Sequence, residues 1–176
     1  MKGFFRTNIR RSRIEKDEFK KETVPDIVKN VISMSDIVLE VIDARFIQET
    51  KNIEYENVAR QKGKKIIYVV NKSDLVNARE LKEKLDLQEI FPRVVVSCVQ
   101  RRSMYKVREI IKIEAKRMKK EKVYIGIIGY PNTGKSSVIN LLTGRPSTKT
   151  SKESGFTKGM QKIRLSEGIY LIDTPG

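Results

Sequence analysis

The stretch GYPNTGKS, residues 129–136, constrains the fold of this chain more than any other. It fits G-x-x-x-x-G-K-[ST], and its flanks matter as much as its spacing. The apolar run 122–129 before it reads as a strand, and residues 135–142 after it read as a helix. A chain that leaves a strand, curls through glycines and enters a helix points several backbone N–H groups at one spot, together with the positive end of the helix. That spot suits a phosphate, lined by Asn132, Thr133, Gly134, Lys135, Ser136 and Ser137. Lys135 supplies a point charge for β- and γ-phosphates and for the charge that develops during phosphoryl transfer. Ser136 offers a hydroxyl to Mg²⁺. The loop alone does not distinguish ATP from GTP.

The rest of the chain is built on the same alternation. Residues 37–46, 64–71 and 93–98 read as strands, separated by helices at 52–63 and 78–85, with a long basic helix at 104–120. A further helix, with Ile27, Val28, Val31 and Ile32 at helical spacing, precedes the first strand. Residues 160–165 and 168–174 read as a hairpin turning at Glu167-Gly168. The strand cores are continuously apolar, which is the mark of strands buried on both faces. The expectation is an α/β, three-layer P-loop NTPase fold with a six-stranded, mostly parallel sheet and an antiparallel pair at its edge. A length of 176 residues suits one such domain, expected over 25–176, with a basic arm or helix at 1–24.

Two more stretches supply what the loop lacks. In YLIDTPG, Asp173 follows an apolar run and opens D-x-x-G; its carboxylate would hold Mg²⁺, and the Gly176 N–H would face the γ-phosphate. The polar segment 145–161 between the two motifs suits a loop ordered by a γ-phosphate. Thr157 is the expected Mg²⁺-sensing and catalytic hydroxyl, with Thr148 and Thr150 also in reach. In VVNKSDL, the strand 64–71 ends in Asn71-Lys72-Ser73-Asp74. Guanine carries N–H donors at N1 and at its 2-amino group, and adenine has neither. One carboxylate set edge-on, Asp74, accepts both. Asn71 can brace the pocket and contact the base, while the stem of Lys72 lies on the ring face. Ser97 and the Cys98 N–H, at the end of the third strand, are expected as a second contact near the guanine O6. Cys98 is not expected to be a nucleophile, because the chain has no histidine to activate it.

Together these motifs resemble those of Ras-type GTPases, but in rotated order. N-K-S-D and Ser97-Cys98 come first; the P-loop, Thr157 and D-T-P-G follow. This order is similar to that of the circularly permuted GTPases of the YlqF/YawG family, and Asp43-Ala44-Arg45 also matches that family's pattern near its first strand, with an ordinary strand-end salt bridge as the plain alternative. The resemblance spans about 25–176 and implies a circularly permuted GTPase topology with the long helix as the join. It also implies GTP and GDP as ligands, Mg²⁺-dependent and slow hydrolysis, and a switch role in ribosome assembly. In some related GTPases an asparagine at the position of Asn132 helps bind K⁺. The family's switch helix and C-terminal region have no counterpart before Gly176, so the chain is expected to be truncated after D-T-P-G.

The net charge of +15 argues against an ordinary enzyme of small metabolites and for a polyanionic partner. Arg10, Arg11 and Arg13 in the arm form one basic group. Arg101, Arg102, Lys106, Arg108, Lys112, Lys116, Arg117, Lys119, Lys120 and Lys122 in the segment 101–122 form another, of which Arg101, Arg102, Lys116, Arg117, Lys119 and Lys120 are the expected RNA contacts. A solvated helix face is the plain alternative for the second group. Phosphate contacts of this kind set affinity rather than sequence choice. The resemblance implies ribosomal RNA or a pre-ribosomal large subunit as the partner; the single cysteine, Cys98, points to a reducing compartment, and a monomeric, cytoplasmic protein is expected. A non-catalytic module in which GTP orders an RNA-binding surface is the other reading. No apolar run reaches the length of a membrane span, and no membrane partner is expected.

Overall fold

The apolar run that begins at Ile37 forms the central strand of a sheet, β1 (Ile37–Asp43), with every residue buried. The computed structural model describes residues 23–86, 90–144 and 161–173. Helix α1 (Val24–Met34) precedes β1, and α2 (Ile47–Thr50), α3 (Ile53–Gln61), β2 (Lys65–Asn71), α4 (Ala78–Asp86) and β3 (Arg93–Val95) follow. Next come α5 (Met104–Arg117), β4 (Val123–Ile128), α6 (Lys135–Thr143), β5 (Gln161–Ser166) and β6 (Ile169–Asp173).

The strands form one six-stranded sheet in the order β3-β2-β1-β4-β6-β5. All neighbours are parallel except β5 and β6. Alternate residues of β1 feed two cores. Ile37, Leu39 and Val41 pack with Val107 and Ile111 of α5 and Val138 of α6. Val38 and Ile42 pack with Val31 and Ile32 of α1, Ala59 of α3 and Leu81 of α4. The expected three-layer, mostly parallel α/β fold is what forms.

Strand order reverses between β1 and β4: the chain steps outward from β1 through β2 to β3, then returns along α5 to start again at β4. The carboxyl ends on either side of such a switch point border a crevice where α/β sheets bind ligands. Asp43 and Asn71 are paired in register at one side of it, and the loop after Ile128 leaves from the other.

Boundaries differ from the sequence expectation for local reasons. The first strand stops at Asp43, not at 46, because the Asp43 carboxylate turns back onto the Arg45 N–H at 3.1 Å and the short helix α2 follows. The third strand ends at Val95, although the Val96 N–H still reaches the Val70 carbonyl at 2.8 Å. The long helix ends at Arg117 rather than 120; Lys119 turns the chain at φ 51°.

Two carboxyls lie in the apolar layer under α3. Glu40, fully buried on β1, accepts 2.7 Å from the Asn52 N–H, and Asn52 in turn caps α3 by accepting from the Tyr55 N–H at 3.0 Å. Glu56 accepts from Arg60 at 2.6 Å and from the Tyr68 hydroxyl at 2.9 Å. Burial, reinforced by neighbouring Glu56 and only partly offset by the Asn52 bond, pushes the Glu40 carboxyl up to about 8.

Candidate functional site

The loop between β4 and α6 is shaped by close backbone approach. Gly129, at φ 147°, sits so near β1 that a Cβ there would lie 2.4 Å from the Val41 carbonyl oxygen. Beyond it, the Tyr130 carbonyl accepts the Thr133 hydroxyl at 2.9 Å and the Lys135 ammonium at 2.7 Å, closing the loop on itself. Burial lowers the Lys135 pKa, so an anion in the loop would restore favourable surroundings for its charge. Ser136 and Ser137 are exposed at the start of α6.

The end of β2 is fastened onto this loop. Asn71 is buried, and its side-chain amide donates to the Thr133 carbonyl at 3.0 Å while its oxygen accepts from the Cys98 N–H at 3.2 Å. Gly134, at φ 100°, makes room for it: a Cβ there would stand 2.2 Å from Asn71 Nδ2. Lys72, in the left-handed region at φ 63°, aims its ammonium at Asp43 Oδ2, 2.8 Å away, and at the Asn132 carbonyl. Asp43 also accepts from Arg45 Nε at 3.0 Å and Nη2 at 2.8 Å. Burial alone would raise the Asp43 carboxyl, but the bonds from Arg45 and Lys72 outweigh it and hold it far below the usual carboxylate range.

Asp74 is held from the next loop. The Ser97 hydroxyl donates to Asp74 Oδ1 at 2.5 Å and itself accepts from the Gln100 N–H at 3.2 Å. Ser97 is fully buried, and its hydroxyl fixes Asp74 Oδ1. The Cys98 N–H likewise is taken by Asn71 rather than pointing into the crevice. Asn71, with both ends of its amide bonded to protein, is a brace. Ser97 and the Cys98 N–H, both expected near the guanine O6, are each bonded here to another side chain of the same crevice. Burial pushes the Cys98 thiol up to about 11, in keeping with an inert sulfur.

The crevice thus has a phosphate-loop geometry on one side and a fixed carboxylate on the other, with the Lys72 stem between them. The donor set suits Mg²⁺ bound to a nucleotide. Mg²⁺ is ordinarily held by one or two protein oxygens together with phosphate oxygens and water. The Ser136 hydroxyl is exposed beside the loop, and β6, which ends at Asp173, neighbours β4. Among the described residues no group of three His, Cys, Asp or Glu side chains forms a metal cage. Thr157, Thr148, Thr150 and Gly176 lie outside the described residues, as do Arg10, Arg11 and Arg13.

The remaining basic candidates divide into two groups at opposite ends of α5, about 20 Å apart at the rise of an α-helix. Arg101 and Arg102 are exposed before α5, near the crevice; Lys116 and Lys119 are exposed near its end. Arg117 is paired with Glu114 at 2.7 Å, and Lys120 with Asp36 at 2.5 Å. Arg108 is exposed, and its Nη2 donates to the Leu141 and Leu142 carbonyls at 2.8 and 3.0 Å, capping α6. Among the described residues, no helix is long and apolar enough to cross a membrane.

Comparison with known proteins agrees with this arrangement. Residues 124–176 match the family of 50S ribosome-binding GTPases. A GTP-binding protein of Methanocaldococcus jannaschii is 45% identical over 160 residues, covering 90% of this chain and 42% of that protein. The nuclear/nucleolar GTPase 2 of Arabidopsis thaliana is 34% identical over 181 residues, covering 98% of this chain and 31% of the relative. The chain therefore spans less than half the length of these relatives. Among solved structures, GNP-bound YlqF of T. maritima superposes with a TM-score of 0.58 at 25% identity, covering 88% of this chain and 58% of that one. YjeQ of Thermotoga maritima, at 21% identity and a TM-score of 0.56, shares the fold. Base-side motifs ahead of the phosphate loop, a sheet whose order reverses between β1 and β4, and these likenesses agree: the chain belongs to the circularly permuted GTPases of the YlqF group.

Proposed function

We propose that this chain binds GTP and GDP in the crevice between β2 and the phosphate loop, hydrolyses GTP slowly with Mg²⁺, and acts as a switch in assembly of the large ribosomal subunit. The observation that carries the reading is the bond from the Asn71 side chain to the Thr133 carbonyl. It fixes the base-reading loop to the phosphate loop, so that one nucleotide can span both.

The proposed roles rest on the motifs and, for the described residues, on the bonds above. Asp74, oriented by Ser97, accepts the guanine N1–H and 2-amino group. Lys135 and the backbone N–H groups of 132–137 bind the phosphates and stabilise charge that develops on them. By their places in the motifs, Ser136, Asp173 and Thr157 would hold Mg²⁺, and the Gly176 N–H would meet the γ-phosphate. Mg²⁺ supplies charge neutralisation across the β- and γ-phosphates. Asn132 is a candidate K⁺ ligand, tested by exchanging K⁺ for Na⁺ during turnover. Residues 25–176 are the proposed GTPase domain of a monomer that works in the cytoplasm, with 1–24 proposed as a basic arm or helix.

Ribosomal RNA is the proposed partner, met by Arg10, Arg11 and Arg13 and by the two basic groups on α5. The name of the family that residues 124–176 match supports a ribosomal partner. Nucleotide titration and turnover, with and without large ribosomal subunits, test the whole reading. The expected result is tight GTP and GDP binding, slow turnover alone and faster turnover with subunits. Binding without turnover in either condition would leave a GTP-ordered RNA-binding module instead.

A further inference from the structure

Asp43 is the last residue of the strand that separates the base-reading strand β2 from the phosphate-loop strand β4. Its side chain is 5% exposed. Both its oxygens are engaged: Oδ1 by the Arg45 N–H at 3.1 Å and Arg45 Nε at 3.0 Å, Oδ2 by Arg45 Nη2 and Lys72 Nζ, each at 2.8 Å. Its own N–H donates to the Thr50 hydroxyl at 3.0 Å. Asp43 is therefore immobilised from several directions. Lys72 is not: among the described residues, only Asp43 and the Asn132 carbonyl hold its ammonium.

We propose that Asp43 is a positioning residue for guanine-nucleotide binding: it holds the Lys72 ammonium against the phosphate loop, so that the Lys72 stem is set as a platform for the base before nucleotide arrives. A lysine side chain has large rotamer entropy. A lysine already pinned at its tip loses little of it when a ring settles on its methylenes, and that preorganisation appears as slower nucleotide release. The ion pair also joins the strand between the two halves of the crevice to both of them. It ties the end of β1 to Lys72 and, through Lys72, to Asn132. The inference rests on the guanine-site reading of Lys72.

Arg45 provides the contrast. It shares the Asp43 carboxylate, but it is partly exposed and its guanidinium lies 5.2 Å from the Phe46 ring centroid, with no bond to the loop. If Asp43 served only to brace its own turn, Arg45 would matter to nucleotide as much as Lys72 does.

The test is a double-mutant cycle read by release of a fluorescent N-methylanthraniloyl-GDP, with thermal unfolding as a control on folding. Asp43→Asn and Lys72→Met are each expected to speed release about tenfold, the scale of one charge-assisted bond. The double variant is expected to be no faster than either single one, and Arg45→Gln is expected to change release by less than about twofold. Asp43→Glu keeps the charge but displaces the carboxylate by one methylene. It carries the cycle with Lys72→Met if Asp43→Asn does not fold, and faster release that disappears in the Lys72→Met background is expected of it too. Independent, multiplying effects of Asp43 and Lys72, or an Arg45→Gln effect equal to that of Asp43→Asn, would overturn the proposal. If Lys72→Met speeds release and the Asp43 variants do not, this inference alone fails. If Lys72→Met leaves release unchanged, the guanine-site reading of Lys72 fails and takes the inference with it.

Discussion

The Asn71 side chain and the Thr133 carbonyl, 62 residues apart in the chain, are joined by a 3.0 Å hydrogen bond. This bond makes two motifs one site. Asn71→Ala would leave the Thr133 carbonyl and the Cys98 N–H without their partner, at a cost of about 1–3 kcal/mol for each buried group orphaned. Gly134→Ala attacks the same bond from the other side, because its Cβ would meet Asn71 Nδ2 at 2.2 Å. Both variants are expected to lose thermal stability and GTP affinity together, measured by calorimetry and equilibrium titration.

Lys135→Ala should separate binding from folding. The side chain makes one bond in the loop, to the Tyr130 carbonyl. Its loss removes the cation facing the phosphates, with an expected fall in GTP affinity of about tenfold to a hundredfold. The nucleotide-free protein should unfold near its usual temperature. Retained affinity in a titration would show that the loop does not hold phosphate.

Ser97→Ala is expected to relax selectivity for GTP over ATP by about tenfold or more, on the scale of a bond to a charged acceptor. Without the 2.5 Å bond from the Ser97 hydroxyl, Asp74 Oδ1 is free to turn away from the base edge. Competition titrations with both nucleotides measure the ratio.

These roles show what was legible in the sequence and what was not. Runs such as 37–43 and 65–71 declared buried parallel strands because they are apolar on both faces, and the spacing of 129–136 declared its loop. Asp74 was legible because N-K-S-D puts a carboxylate just after a strand. The role of Ser97 was not, because its partner lies 23 residues earlier and the bond exists only once β2 and β3 pair. The Asp43–Lys72 pair, 29 residues apart, was hidden for the same reason. A charge run does not say what each cation bonds to, so the contact of Arg108 with the end of α6 was not legible. Glu40 was lost within an apolar strand, since nothing in its neighbours foretells the carboxyl partner that α3 brings.

That buried Glu40 carboxyl gives a pH dependence. Its folded-state pKa, about 8, is raised above the ordinary 4.5. The native state therefore holds more protons than the unfolded chain between those values. The stabilising effect is full below about 4.5 and is lost as pH rises through about 8. The groups facing it are Glu56 on α3, Tyr68 on β2 and Lys51 before α3. Unfolding free energy should thus fall across that window. Glu40→Gln, which stays neutral, is expected to flatten the slope in denaturant titrations at several pH values.

RNA binding should be steeply salt-dependent if the basic groups on α5 meet phosphates. Lys116→Ala is expected to lower the slope of log K against log salt by about one. Arg117→Ala should lower it less, because Glu114 already neutralises Arg117 at 2.7 Å. Filter binding of large-subunit RNA at several salt concentrations measures this, and a flat dependence would argue against phosphate contacts.

If the Asp74 carboxylate reads guanine in a crevice shared with the phosphate loop, Asp74→Asn will change which base the crevice accepts. An asparagine presents a donor where the carboxylate presented an acceptor, so it suits the 2-keto group of xanthine and not the 2-amino group of guanine. Competition between GTP and xanthosine triphosphate is expected to swing toward the xanthine nucleotide in Asp74→Asn. An unchanged preference for GTP in the folded variant would contradict the account.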